Sequence, residues 1–375
     1  NDRRRLRKRF QLSNQLKPST VGRFQMLQHN FPIIWLLTNW AVLAFGTLPV
    51  LAQPSLQPAG DVVARDVREV YDAGLQYLLQ SQNESGTWAD GYSGPGTTGL
   101  AILAFLASGE DPNFGRFAQS IRRATRSVIR SQDATTGYMG DSMYQHGFAL
   151  LALAEVYGVL DEEHLWLDDN GLKQQRSVGE ALELGVRCAM TSQSKNPHQA
   201  WRYSPSARDA DTSVSGAVLM GLLAARNAGI EVPDNSIDKA IDYFSSMTGD
   251  TGVVGYSGGM GGFGQSIARS SIACLVFSIS KRQNLKQFEA TQKYITQNMD
   301  EQSHYVEYTR YYLSQALFQA DLESWEKWNR SLTRQLKSAQ NEDGSFNGQF
   351  GKSTTTCLNL LSLALNYRFL PIYER

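Results

Sequence analysis

The chain has 375 residues, 36 Lys and Arg against 36 Asp and Glu, and 42% hydrophobic residues. That is enough for one large core, and zero formal net charge argues against a nucleic-acid partner. Three cysteines without a spacing pattern do not make a disulfide framework.

Residues 1–30 are basic and irregular, opening with NDRRRLRKRF, and residues 31–52 are apolar. Val50 and Ala52 satisfy the small-residue rule for signal cleavage after Ala52. Residues 1–52 therefore read as a basic lead plus a secretory signal peptide. The alternative is an uncleaved membrane anchor, since 22 apolar residues can span a bilayer. Either way the expectation is an exported protein, in the periplasm, envelope or extracellular space, with possible membrane association through residues 31–52. Residues 53–64 read as a linker.

From 65 to 375 one device recurs six times. A helix ends at glutamine, the chain turns at glycine, and an aromatic follows. The first copy has Gln82, Gly86 and Trp88; the second has Gln132, Gly137 and Tyr138. The third has Gln193, then Trp201 and Tyr203 after a longer loop. The fourth places Met247 where glutamine stood and keeps Gly255 and Tyr256. The fifth has Gln297 and Tyr305, the sixth Gln340, Gly344 and Phe346. Residues 158–178, between copies two and three, form an acidic insert expected to be a solvated surface excursion. Each loop leads to a second helix, and Thr97-Thr98, Thr212-Ser213, Ser270-Ser271 and Thr354 to Thr356 read as caps for its first turn.

The first helix of a copy is amphipathic, with Val67, Val70, Tyr71, Gly74, Leu75 and Leu78 on one face. The second is apolar nearly all round, so protein must enclose it. The predicted fold is all-α: an α/α toroid of six helical hairpins, six outer helices around six inner ones. Closing the ring removes the exposed ends of an open solenoid.

The pattern resembles the repeat of squalene–hopene cyclases and protein prenyltransferase β subunits. Ala73, Tyr77, Leu78, Gln82, Gly86 and Trp88 match the cyclase signature in order, with Asp72 where a basic residue is usual. Gln340, Gly344 and Phe346 match its end again. The resemblance covers residues 65–370 and implies a fold superfamily more than a chemistry. In similar cyclases an Asp-x-Asp-Asp-Thr-Ala run supplies the acid that protonates a polyene. Here residues 208–213 read RDADTS. Matched from the left, Asp209 and Asp211 fall on the first and middle acids, and they are the candidate catalytic residues. Matched on Asp-Thr-small, which keeps the repeat's register, Asp211 becomes the last acid and Ala210 replaces the proton donor. On that alignment Asp211 is a helix cap. The prenyltransferase zinc needs an Asp two residues from a Cys, and GFGQSIARSSIACL has none beside Cys274. No metal and no cofactor are expected.

Every outer-to-inner loop must emerge at one end of the ring, so distant residues share a rim. Trp88, Tyr138, Tyr256 and Phe346 hold the repeated position and read first as plugs between repeats. The expected ligand contacts are Tyr144, His146, His198, Trp201, Arg202, Tyr203 and Tyr256. Aromatics there suit apolar, cationic or sugar-ring ligands, and inner-helix N-termini favour negative charge. The expected function is binding of a hydrophobic, isoprenoid or glycan ligand at the rim. The alternatives are a terpenoid-cyclase-like enzyme or a glycan-cleaving toroid. The latter needs paired carboxylates, for which Asp90, Asp141, Asp209 and Glu307 are available.

Overall fold

The computed structural model describes residues 63–167, 175–257, 264–301 and 303–373, within the compact unit Gly60–Arg375. Residues 31–52, and with them the signal or anchor reading, lie outside the described residues. Among the described residues, twelve α-helices alternate between the two characters anticipated. The outer ones are α1 (Arg65–Ser81), α3 (Ala118–Arg130), α5 (Val178–Lys195), α7 (Asp234–Ser246), α9 (Lys286–Gln297) and α11 (Leu322–Ala339). The inner ones are α2 (Pro95–Leu106), α4 (Met143–Val156), α6 (Thr212–Asn227), α8 (Ile267–Ile279), α10 (Val306–Ala320) and α12 (Lys352–Leu363). Among the described residues no helix is long and apolar enough to cross a membrane.

Burial explains the alternation. In α1 only Val67, Val70, Tyr71, Gly74, Leu75 and Leu78 are buried, one stripe of an otherwise polar helix. In α2 every residue from Gly96 to Leu106 is buried. Each inner helix packs on the next, and α12 packs back on α2, so the ring closes.

The repeated glutamine stitches this ring together. Gln82 Nε2 donates to Gly86 O in its own loop and to Ser120 O on the next outer helix, at 3.1 and 3.0 Å. Gln132 does the same with Gly137 O and Ala181 O, and Gln193 with Gln199 O and Ser236 O. Gln340 closes the circle by donating to Gly344 O and to Val70 O of α1. The glycine lets the next outer helix approach: at Gly86, Gly137 and Gly344 φ is near +80° and an added Cβ would lie 2.4, 2.3 and 2.2 Å from a carbonyl of that helix. In copy four the residue with these properties is Gly252, 2.1 Å from Ala290 O by the same measure, not Gly255. In copy three Gln199, with φ 54°, takes the turn that glycine takes elsewhere.

Two residues after each turn, one side chain wedges between helices. These wedges are Trp88, Met139, Trp201, Val254 and Phe346, all at most 3% exposed. Trp88 and Trp201 donate their indole N–H to Leu78 O and Ala189 O, four residues before the glutamine in each case. Tyr138 and Tyr256 are therefore not the wedges of their copies, because apolar volume fills that place without an aromatic ring.

The hydroxyl clusters act differently from expectation. They mostly donate to loop carbonyls: Thr97 and Thr354 to Tyr92 O, Thr212 to Gly255 O, Ser215 to Trp201 O, Ser270 to Gly252 O. The side-chain caps of α4, α6 and α8 are Ser142, Asp211 and Ser266. The insert is also fastened rather than solvated throughout. Leu165 is fully buried, Trp166 Nε1 donates to Arg176 O, and Arg176 donates to Gln132 Oε1 at 2.7 Å. At the end of the ring away from the outer-to-inner loops, the C-terminal turn Pro371–Tyr373 packs on α6, and Tyr373 bonds to Tyr311 and Gln319 of α10.

Candidate functional site

The outer-to-inner loops surround a cavity of about 720 Å³ on the ring axis, with contributions from all six copies. Eight of its lining side chains are aromatic: Tyr92, Tyr144, Phe148, Tyr203, Tyr256, Tyr305, Tyr308 and Phe350. The inner helices give it depth. Gly96, Tyr144 and Thr354 line it from first turns, and Leu100, Phe148 and Leu358 line it four residues later. Side chains four apart share a helix face, so these three form an apolar floor one turn below the rim.

The rim's polar groups hold one another. Tyr144 and Tyr308 share a hydroxyl–hydroxyl bond of 2.8 Å, as do Tyr203 and Tyr256. Gln145 accepts from Gly96 N and donates to Ser93 O. Backbone bonds fix the loops: Met143 N donates to Tyr203 O, Thr212 N to Tyr256 O and Tyr92 N to Phe350 O.

Two arginines line the cavity, and both lie against Tyr256, with guanidinium carbons 5.5 Å (Arg202) and 6.0 Å (Arg269) from the ring centre. Arg202 Nη1 donates to Asp209 Oδ2 at 2.7 Å and to Ser257 Oγ at 3.0 Å. Its Nε lies 3.7 Å from Asp211 Oδ2. Asp211 is fully buried, and its Oδ1 caps α6 by accepting from Val214 N at 2.7 Å. Its Oδ2 has a charged neighbour but no hydrogen bond, since 3.7 Å is too long for one. Burial pushes this carboxyl up to about 6, against the Val214 amide, the Arg202 charge and the Ser213 amide, which pull it down.

The expected site residues thus separate. Tyr144, Arg202, Tyr203 and Tyr256 meet at the cavity. Asp211 and Asp209 stand behind Arg202, and neither lines the cavity. Trp201 is the wedge of copy three, fully buried. His146, two residues after Tyr144, turns to the other side of α4. Its Nδ1 accepts from Met139 N and its Nε2 donates to Gly185 O, and burial pushes its pKa down to about 4. With both nitrogens engaged it has no lone pair for a metal or ligand. His198 is exposed on the loop before Trp201 and outside the cavity. Among the described residues no three His, Cys, Asp or Glu side chains are placed to hold a metal.

Of the carboxylates considered for glycan cleavage, none lines the cavity. Asp90 accepts from Tyr77 and from Ser353 N, tying the first loop to α12 across the ring closure. Asp141 is exposed, and Glu307 is buried against Gly348. Sequence reasoning missed Arg269 and the floor. The floor's signal was present: an apolar side chain four residues after each first-turn rim position of α2, α4 and α12.

A family profile described as "Domain of unknown function (DUF6288)" matches residues 68–357. The chain belongs to this family. A search of curated proteins finds no match. Among solved structures, the GH76A α-1,6-mannanase of Salegentibacter sp. HEL1_6 is similar, with a TM-score of 0.57 at 9% identity over 81% of this chain and 99% of the mannanase. A D-mannose isomerase gives 0.58 at 10% identity, over 81% and 97%. The type II terpene cyclase MstE from Scytonema gives 0.53 at 12%, over 81% and 99%. At such identities the likeness is one of fold. It establishes the α/α toroid and reaches sugar-acting and terpene-cyclising proteins alike, so the squalene–hopene cyclases are not singled out.

Proposed function

We propose that this DUF6288 toroid binds an amphipathic small molecule in the rim cavity, with the apolar part on the floor. The observation that carries this reading is the layering itself. Leu100, Phe148 and Leu358 lie beneath a rim of tyrosines and arginines whose hydroxyls already bond to one another. A volume of about 720 Å³ suits a ligand of drug-like size. The absence of any carboxylate from the described lining favours binding over glycan cleavage by a carboxylate pair. The apolar run at residues 31–52 supports an exported or membrane-associated setting for it.

A second reading is acid-initiated chemistry on an unsaturated ligand, favoured by the raised pKa of Asp211. It is the weaker of the two, because that carboxyl faces Arg202 rather than the cavity.

The test is a fluorescence titration with 1-anilinonaphthalene, a neutral three-ring probe, against wild type and Leu100→Trp. The reading expects one saturable site in wild type and its loss in the variant, with helical circular dichroism unchanged. Absence of saturable binding, or binding indifferent to the tryptophan, would sink it.

A further inference from the structure

Arg202, at the rim, lies between two carboxylates. Asp209 holds it from the solvent side at 2.7 Å, and its own side chain is 61% exposed. Asp211 holds it from the protein side at 3.7 Å, fully buried. With both carboxylates ionised, the guanidinium is over-compensated and repels a second anion. With Asp211 neutral, Arg202 is no longer over-compensated, and its guanidinium beside Tyr256 can pair with a second anion.

Resting on the cavity reading above, we propose that the ligand carries an acidic group, a carboxylate, phosphate or sulfonate, which binds at Arg202 beside Tyr256, and that Asp211 takes up one proton as it binds. The orphaned Oδ2 is where that proton goes: it is the one Asp211 oxygen without a hydrogen bond to satisfy. A neutral carboxyl there keeps its Oδ1 bond to Val214 N, so the cap of α6 survives protonation. Besides Arg202 and Asp209, the titratable groups facing Asp211 are Tyr144 from α4, Tyr243 from α7 and Tyr256 from the following loop, and burial raises all three tyrosines. By linkage, an anion that needs the proton binds more tightly as pH falls toward the pKa of the free protein's Asp211.

The probe is 1-anilinonaphthalene-8-sulfonate, whose charge is fixed, with neutral 1-anilinonaphthalene as its partner. For a site that must take up one proton, sulfonate affinity should rise about tenfold from pH 7 to pH 5, and that of the neutral probe should not move. Asp211→Asn, still a good helix cap, should bind the sulfonate at pH 7 as tightly as wild type does at pH 5, with no pH dependence left. Arg202→Gln should weaken the sulfonate at least tenfold and leave the neutral probe within threefold. If neither probe binds, the cavity reading itself fails. If the neutral probe binds but the sulfonate ignores Arg202→Gln, the anion site is refuted while the cavity stands. If the sulfonate depends on Arg202 yet Asp211→Asn changes neither affinity nor pH profile, the proton is refuted.

Discussion

Replacing Asp211 by Asn should stabilise the protein at neutral pH, the opposite of what losing a charged helix cap would do. The wild-type carboxyl ionises at about 6 in the folded protein against a reference of 3.8. Below 3.8 it is protonated in both states and the folded state bears no penalty. As pH rises through about 6, the folded state must carry a buried charge that the unfolded chain carries in water, and stability is lost. The difference between 3.8 and about 6 amounts to about 3 kcal/mol. Asparagine keeps the cap bond to Val214 N and never ionises. The stability of the variant relative to wild type should therefore climb by about 2.4 kcal/mol between pH 4 and pH 7. Chemical denaturation of both proteins across this range gives the comparison, and taking the difference cancels every other titrating group. A gap that stays constant with pH, or a variant less stable than wild type at pH 7, would refute the burial argument.

Three further outcomes follow from the ring. Gln132→Leu leaves Gly137 O, Ala181 O and the Arg176 guanidinium without their partner, and should cost about 2–4 kcal/mol in urea unfolding; a loss under about 1 would mean the stitch contributes little. Gly252→Ala forces φ +83° on an L-residue and drives a methyl against Ala290 O, and should cost at least about 2 kcal/mol by the same assay. A neutral outcome would move the copy-four turn elsewhere. His146, held near 4 by burial, should show constant ring NMR shifts from pH 8 to pH 5, whereas a midpoint near 6.5 would place it in water.

The ring was legible because its parts are constrained separately. Glutamine recurs where one amide must reach two carbonyls, and glycine recurs where the next helix leaves no room for a Cβ. The wedge was legible only where it is Trp or Phe. At Met139 and Val254 the same place is filled without an aromatic, so the register slipped onto Tyr138 and Tyr256. Topology alone brought Tyr144, Arg202, Tyr203 and Tyr256 to one rim. It did not give side-chain direction, which is why His146 was grouped with Tyr144 although two residues on a helix point nearly opposite ways. The charge state of Asp211 was not readable at all, because it depends on the burial of one oxygen beside Arg202.

The most direct test of the central claim is native mass spectrometry of the protein purified from its own host, wild type beside Leu100→Trp. The account predicts a retained small-molecule mass on wild type that is missing from the variant. A bare chain mass in both, or the same adduct in both, would contradict a ligand held on the floor of the cavity.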